Sequence, residues 1–275
     1  MKIIDSSVEI LDQNPGEQGI YQMIELAGRT AYKSEDKVTE TSANEFVQRM
    51  KNLGHGSPLE HGTVYLTVPK TDFNRIVDDH DFNFFDCPFL FWGATELSDK
   101  DVYLTTDYRT LCKFHYEELL KFVTEPTEKH VKRITVKFIC DRGVSHEFVR
   151  HRSFSFLQES TRYCNYSKDK FGKEITFIRP QRGLDDEAKP VFEFGLKTAE
   201  QTYFYLLDCG WKPEEARAVL PNALKTELIM TGTIPQWAQF FKLRCSKNAH
   251  PDAQKLANDL KAQFIERGYL TEVEN

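Results

Sequence analysis

Two hydrophobic periods alternate along this chain. "SVEIL" reads as an opening strand, and residues 17–32 then carry Ile20, Ile24, Ala27 and Ala31 at helical spacing. Ser42 and Glu45 have capping-box spacing, Phe46, Met50 and Leu53 form a stripe behind them, and Gly54 marks the stop of a second helix. "GTVYLTV" puts Val64, Leu66 and Val68 on one face, and "KRITVKFIC" does the same with Ile134, Val136, Phe138 and Cys140, the period of a half-buried strand. "EITFI" at 174–178 predicts a third strand of this kind. A helix is expected near 107–123, and another over 186–208, where Phe192, Leu196, Ala199, Tyr203 and Leu206 recur. One more begins behind Thr233, with Pro235 in its first turn and Trp237, Phe240 and Phe241 inside it, and a last one spans about 251–266 with Leu256, Leu260 and Phe264. The elements mix without strict strand–helix alternation, which predicts an α+β fold with a mainly antiparallel central sheet flanked by helices.

Over residues 70–105 the pattern fails. "DFNFFDCPFLFWGATELSDKD" sets aromatics between aspartates with no clean period. A lid, a subunit contact and an insertion covering a sheet edge all fit such a stretch.

Composition narrows the class. The 275 residues, at 40% hydrophobic and 28% charged, describe an ordinary globular protein, and neither an apolar run long enough to span a membrane nor an export signal is visible. Six scattered cysteines without a C-x-x-C pair fit reduced thiols and a cytoplasmic location. The net charge of -6 argues against coating of duplex DNA, which needs a broad basic face. Against that acidic background, "RHRSFSFLQESTRY" at 150–163 gathers three arginines and a histidine. "HEFVRH" at 146–151 does not make this a metal site: His151 follows His146 by five positions, about 140° around a helix, among cations. Arginines interleaved with Phe154, Phe156 and Tyr163 would suit single-stranded nucleic acid, but no longer basic groove accompanies them. Two readings stay open on residues alone. One is a pocket for a nucleotide or flavin, because the planar guanidinium fork grips phosphate and keeps its charge when partly desolvated. The other is a solvated helix end whose arginines pair with Glu147 and Glu159.

The segment also matches a longer pattern. Arg150-His151-Arg152, seven residues and then Ser160 form the R-H-R-x7-S signature of flavin-dependent thymidylate synthases, and "STRY" continues it. "ELAGRTAYKS" (25–34), "GHGSPLEHGTVYLTV" (54–68), "EEARAVLP" (214–221) and "FFKLR" (240–244) resemble that family's other blocks, in the same order. The resemblance implies one domain over residues 1–275 with a long insertion at about 70–130, assembled as a homotetramer with shared active sites. It implies reductive methylation of dUMP to dTMP, with methylenetetrahydrofolate as carbon donor and NADPH as reductant through FAD, and neither nucleic acid nor membrane as partner. By position, Thr63, Arg150, His151, Arg152, Gln158 and Gln239 would contact FAD. Glu147, Arg150, Gln158, Glu159, Ser160, Thr161, Arg162, Arg217 and Arg244 would meet the nucleotide, with Arg244 polarising the uracil. His61 would lie near flavin and folate, or else be a strand-edge histidine with no catalytic part. Ser160 has no base beside it in sequence, so the resemblance and the chemistry both imply binding and no covalent nucleophile.

Several positions depart from the family pattern. His61 and Arg150 are separated by 88 residues, more than most members have, Glu147 stands where glutamine is commoner, and Thr233 and Pro235 replace the usual Asn-x-Arg flavin contact. A second class of function accommodates the same motifs: a nucleotide- or RNA-binding module that has kept the pocket and lost the chemistry.

Overall fold

The computed structural model describes residues 1–79, 96–97, 100–162, 164–168 and 172–271, so Tyr163 and most of the aromatic–acidic stretch lie outside the described residues. In chain order the elements are β1 (Lys2–Ile4), β2 (Ser7–Leu11), α1 (Gly16–Tyr32), α2 (Ser42–Asn52), α3 (Gly56–Leu59), β3 (Thr63–Pro69), α4 (Lys70–Asp79), β4 (Glu96–Leu97) and β5 (Asp101–Asp107). Then come α5 (Tyr108–Lys113), β6 (Arg133–Asp141), α6 (Arg142–Phe148), β7 (Ser155–Gln158), β8 (Thr176–Ile178), α7 (Ala188–Asp208), α8 (Pro213–Ala216), β9 (Lys225–Thr233), α9 (Ile234–Arg244) and α10 (Pro251–Glu266). The α+β expectation holds. The main sheet is antiparallel in the order β2-β6-β9-β7, a second antiparallel sheet runs β3-β5-β4, and β1 pairs with β8 in parallel.

Each face of the main sheet follows from the period-two pattern. Val136, Phe138 and Cys140 on β6 and Leu228 and Met230 on β9 turn toward α9 and α10 and join Trp237, Phe240 and Phe264 in one core. Trp237 satisfies its indole N–H on the Ile134 carbonyl at 3.1 Å, as a buried tryptophan requires. The alternate residues of β6 and β9, among them Thr135, Lys137, Glu227 and Thr231, make a polar face. Its Glu227 and Thr231 side chains are still buried. A separate core forms where Ile20 and Ile24 of α1 and Phe46 and Met50 of α2 pack on Val64 and Leu66 of β3 and Val102 and Leu104 of β5.

Two expectations need correction. Ser42 does not cap α2: its Oγ donates to the buried Glu25 carboxylate at 2.9 Å, and the helix has no side-chain cap. Arg29 holds only one oxygen of this buried carboxylate, at 2.7 Å, and the Ser42 hydroxyl serves the other, which outbids the local motif. The helix expected over 107–123 is α5 followed by a separate 3-10 turn at Glu117–Phe122, because His115 sits at φ 60°, a left-handed conformation that an α-helix cannot pass through. Within residues 70–130, β5 pairs with β3 along seven residues.

Candidate functional site

The Arg150–Arg152 motif is held by what flanks it. α6 ends on Phe148, β7 begins at Ser155, and Phe148 and Phe154 are both buried in the aromatic core, Phe154 against Trp237 at 4.7 Å between ring centres. The bare backbone of Gly232 makes room for this, because a Cβ there would meet the Phe154 ring at 2.5 Å. Two apolar anchors therefore pin a turn whose arginines remain exposed. Between them, the His151 ring packs on Phe240 at 5.0 Å.

His151 is also tied to α9. Arg244 donates from Nε to His151 Nε2 at 2.9 Å, and from its terminal nitrogens to the Glu147 carboxylate and the Glu147 carbonyl, each at 2.5 Å. Burial, with the Arg244 charge adding to it, pushes the His151 pKa down to about 4. The ring is thus neutral at pH 7, and accepting at Nε2 leaves its proton on Nδ1. Glu147, His151 and Arg244, all expected at the site, form one unit.

At the far end of β7 a second group assembles. Glu159 N–H donates to the Glu227 carbonyl at 2.8 Å and Ser160 N–H to the Ala31 carbonyl at 3.0 Å, fixing this segment between β9 and the end of α1. Arg217 donates to the Thr161 hydroxyl at 2.7 Å and to the Glu214 carbonyl at 3.2 Å, and the Arg162 guanidinium lies 3.8 Å from the Glu214 carboxylate. Gln158 bonds Ser145 of α6 and Thr226 of β9, at 2.8 and 3.2 Å. Beneath them Lys225 pairs with Glu159 at 2.9 Å and with Glu227, which also takes Lys137 at 2.9 Å and Lys33. Burial alone would raise the Glu227 pKa, but Lys225 and Lys33 outweigh it and hold the carboxyl at about 2. Lys33 reaches this pair by ending α1 at φ 49°, a left-handed turn that costs a lysine roughly 1 kcal/mol.

At the near end, where β7 starts, a cavity of about 290 Å³ opens between β5 and α5 on one side and the Arg152–Ser155 turn on the other. Arg109, Lys113, Arg133 and Arg152 line it, with Glu60 and Asp107 as its carboxylates. Arg133 is the hinge pin: its guanidinium donates to the carbonyls of Thr106 (3.3 Å) and Glu60 (3.2 Å) and to the Ser155 hydroxyl (3.4 Å), joining the two sheets. His61 lies near it, fully buried, with Nδ1 2.8 Å from the Thr231 hydroxyl. Burial first and the Arg133 charge second drive its pKa down to about 3, the Phe156 carbonyl offsetting only part. His61 is therefore a neutral imidazole, and its Nε2 has no hydrogen-bond partner among the described residues. Thr63 lines a neighbouring cleft on the other side of Arg133, its backbone clasped by the Gln13 amide at 2.8 and 2.9 Å.

The expected residues thus fall into three groups within one chain: Glu147, His151 and Arg244; Gln158 to Arg162 with Arg217; and Arg152 with His61 and Thr63 around Arg133. Arg150 is exposed at the turn between them. Gln239 is exposed on α9 and is not in the cavity wall, whereas Gln236 is, donating to the Ser153 carbonyl at 2.9 Å while its Oε1 accepts from Thr233 N–H at 2.7 Å. The Thr233–Gln236 capping-box spacing was the signal for it. Sequence reasoning also missed Arg133, which looks like the first residue of an ordinary strand.

A family model described as thymidylate synthase complementing protein matches residues 115–267. Curated relatives include the flavin-dependent thymidylate synthases of Geobacter sulfurreducens, 34% identical over 43% of this chain and 50% of that protein, and Sulfurisphaera tokodaii, 34% identical over 42% and 43%. That of Pyrococcus furiosus is 30% identical over 46% of this chain and 52% of its own. The chain spans about half the length of the curated relatives it matches. A solved UMP/dUMP methylase from Streptomyces cacaoi, bound with 5-Br dUMP, superposes with a TM-score of 0.46 at 16% identity, covering 97% of this chain and 93% of that one.

Proposed function

This chain belongs to the thymidylate synthase complementing protein family, and from that premise we propose that it is a flavin-dependent thymidylate synthase, a methyltransferase that converts dUMP to dTMP. Its one-carbon unit comes from methylenetetrahydrofolate and its reducing equivalents from NADPH through FAD. The observation that carries this reading is the placement of cations at both ends of β7, a four-residue strand only about 10 Å long. Arg152 and its neighbours stand at one end and Arg162 and Arg217 at the other, which suits two phosphorylated ligands held side by side.

The residues fit a flavin. His61 Nε2 is a fully buried polar atom without a partner among the described residues, close enough to Arg133 to feel its charge, and the cavity that Arg133 and Arg152 line supplies cations that would meet the flavin's phosphates. Arg150, Arg152, His61, Thr63 and Gln158 would hold it, with the neutral His151 ring fixed behind them. A bound flavin supplies the hydride for the reduction. The rest falls to the chain. Arg217, Thr161, Arg162 and Ser160 bind the nucleotide, and Arg244, its guanidinium plane set by Glu147 and His151, polarises the uracil where negative charge develops. Ser160 acts in binding: its hydroxyl accepts from Arg162 N–H at 3.3 Å, and among the described residues no base contacts it. Cys164 is wholly buried and offers no alternative nucleophile. Copies of the chain assemble as a tetramer in the cytoplasm; Val191, Phe194 and Tyr205 on α7, which are 69–72% exposed, support contact between copies.

The absorption spectrum tests the flavin part. Purified protein is expected to be yellow, or to become so on titration with FAD, to bleach with NADPH, and to change its flavin band when dUMP is added. Protein that takes up no FAD contradicts the reading.

A further inference from the structure

His61 sits where the chain leaves α3 and enters β3, and its surroundings hold it closely. Its backbone N–H donates to the Pro58 carbonyl at 3.1 Å, and a Cβ on the next residue, Gly62, would meet Ile24 at 2.7 Å and Ile20 at 2.8 Å. The residue is wholly buried. Beside it, Thr135 of β6 and Thr231 of β9 are register partners, and their hydroxyls meet across the two strands at 2.8 Å. The Thr231 hydroxyl also lies 2.8 Å from His61 Nδ1. Thr135, Thr231 and His61, from three separate parts of the chain, thus form one buried row.

The row can carry its protons in two directions. In the first, Thr135 donates to Thr231 and Thr231 donates to Nδ1, so the proton of the neutral ring is on Nε2. In the second, Nδ1–H donates to Thr231, Thr231 donates to Thr135, and the Thr135 proton is left over. Thr231 is the sole hydrogen-bond partner of the Thr135 hydroxyl among the described residues, and Nε2 has none. The first direction therefore leaves one group unmatched, the Nε2–H. The second leaves two, the Thr135 O–H and the Nε2 lone pair. Buried polar groups without partners are costly, so the first direction prevails.

We infer that the Thr135–Thr231 hydroxyl pair fixes His61 as its Nε2–H tautomer, which offers that proton to a hydrogen-bond acceptor on the ligand. Thr135 and Thr231 are then positioning residues, acting through His61. The ring does not serve as a base, because the nitrogen left free by Thr231 already bears the proton. That the acceptor is a carbonyl or ring nitrogen of the flavin or the folate rests on the function proposed above; the tautomer does not.

Long-range proton–nitrogen NMR correlation on the full chain with isotopically labelled histidines, free of ligand and near neutral pH, reads the tautomer directly. The His61 signals are those lost in His61→Gln. His61 is expected to show Nε2 protonated and Nδ1 bare, the opposite of His151, whose Nε2 accepts from Arg244. A bare Nε2 on His61 overturns the inference, and FAD uptake by the same sample would leave the flavin reading intact. Thr231→Val keeps the side-chain shape and removes the hydroxyl. It is expected to mix the two tautomers and to weaken FAD binding by about twofold to tenfold, while Thr231→Ser keeps the wild-type tautomer and affinity. If Thr231→Val retains the wild-type tautomer, the nearby Phe156 carbonyl sets it and the inference falls. Should that variant not fold, the wild-type spectrum decides alone. A wild-type chain that shows the Nε2–H tautomer and takes up no FAD upholds the assignment and sinks the flavin reading.

Discussion

The two ends of β7 carry similar charges and use them in opposite ways. At the Glu159 end, Lys33, Lys137 and Lys225 are matched against Glu35, Glu159 and Glu227, of which Glu159 and Glu227 are almost wholly buried. At the Ser155 end, Arg109, Lys113, Arg133 and Arg152 line an open cavity together with Glu60 and Asp107. Charges that neutralise one another inside the protein hold its parts in register, here the end of α1 against β9. Guanidinium groups that line an opening can meet a ligand. Only above the lysine–glutamate network, where Arg162 and Arg217 emerge, does the first end offer guanidinium groups to solvent.

That contrast breaks if Glu227 is dispensable. Glu227→Ala takes the shared carboxylate from three lysines and leaves Lys137 without its partner, and it is expected to cost about 3 kcal/mol, measured by urea unfolding, whereas Arg152→Ala at the open end should leave stability within about 0.5 kcal/mol. A small loss for Glu227→Ala would show that the network is not structural. Next in size, Arg244→Ala is expected to reduce kcat by about two to three orders of magnitude, the effect of losing one preorganised donor to a developing anion. Near-normal kcat would reduce Arg244 to a brace for Glu147 and His151.

The buried histidine at the open end sets a pH signature. His61 titrates near 6.5 when unfolded and near 3 in the fold, so below pH 6.5 the unfolded chain binds a proton that the folded chain refuses. Stability therefore falls as pH drops through that window, by an amount on the order of a few kcal/mol, with the half-buried His151 adding to the slope. Glu227 contributes stability above its unfolded value of 4.5 and loses it toward pH 2, so measurement between pH 5 and 7 isolates the histidines. His61→Gln should flatten the slope; an unchanged slope would mean that His61 is not held neutral. The smallest effect sharpens the ligand side: Arg217→Ala is expected to weaken dUMP binding by about tenfold in calorimetry with stability unchanged.

The sequence made much of this visible, and its failures have identifiable causes. The stripes Ile20–Ile24–Ala27–Ala31 and Val64–Leu66–Val68 are buried as their periods imply. β9 escaped notice because all but one of its residues are buried, so "KTELIMTGT" has no alternation to read. Ser42 looked like a cap until the buried Glu25 claimed its hydroxyl. The signature arginines were legible as a motif, but their division into three groups was not, since it depends on pairings such as Arg244 with Glu147 across 97 positions. Arg133 and Arg109 carried no local mark at all. Their roles come from the meeting of two sheets, which no short window of sequence contains.

The central claim is tested most directly by following dUMP in the presence of the purified chain, FAD, NADPH and methylenetetrahydrofolate labelled in its one-carbon unit. Mass spectrometry is expected to show dTMP carrying that label, formed at a rate that falls with Arg244→Ala. Tight binding of both FAD and dUMP with no labelled dTMP would contradict the account and leave a nucleotide-binding module in place of an enzyme.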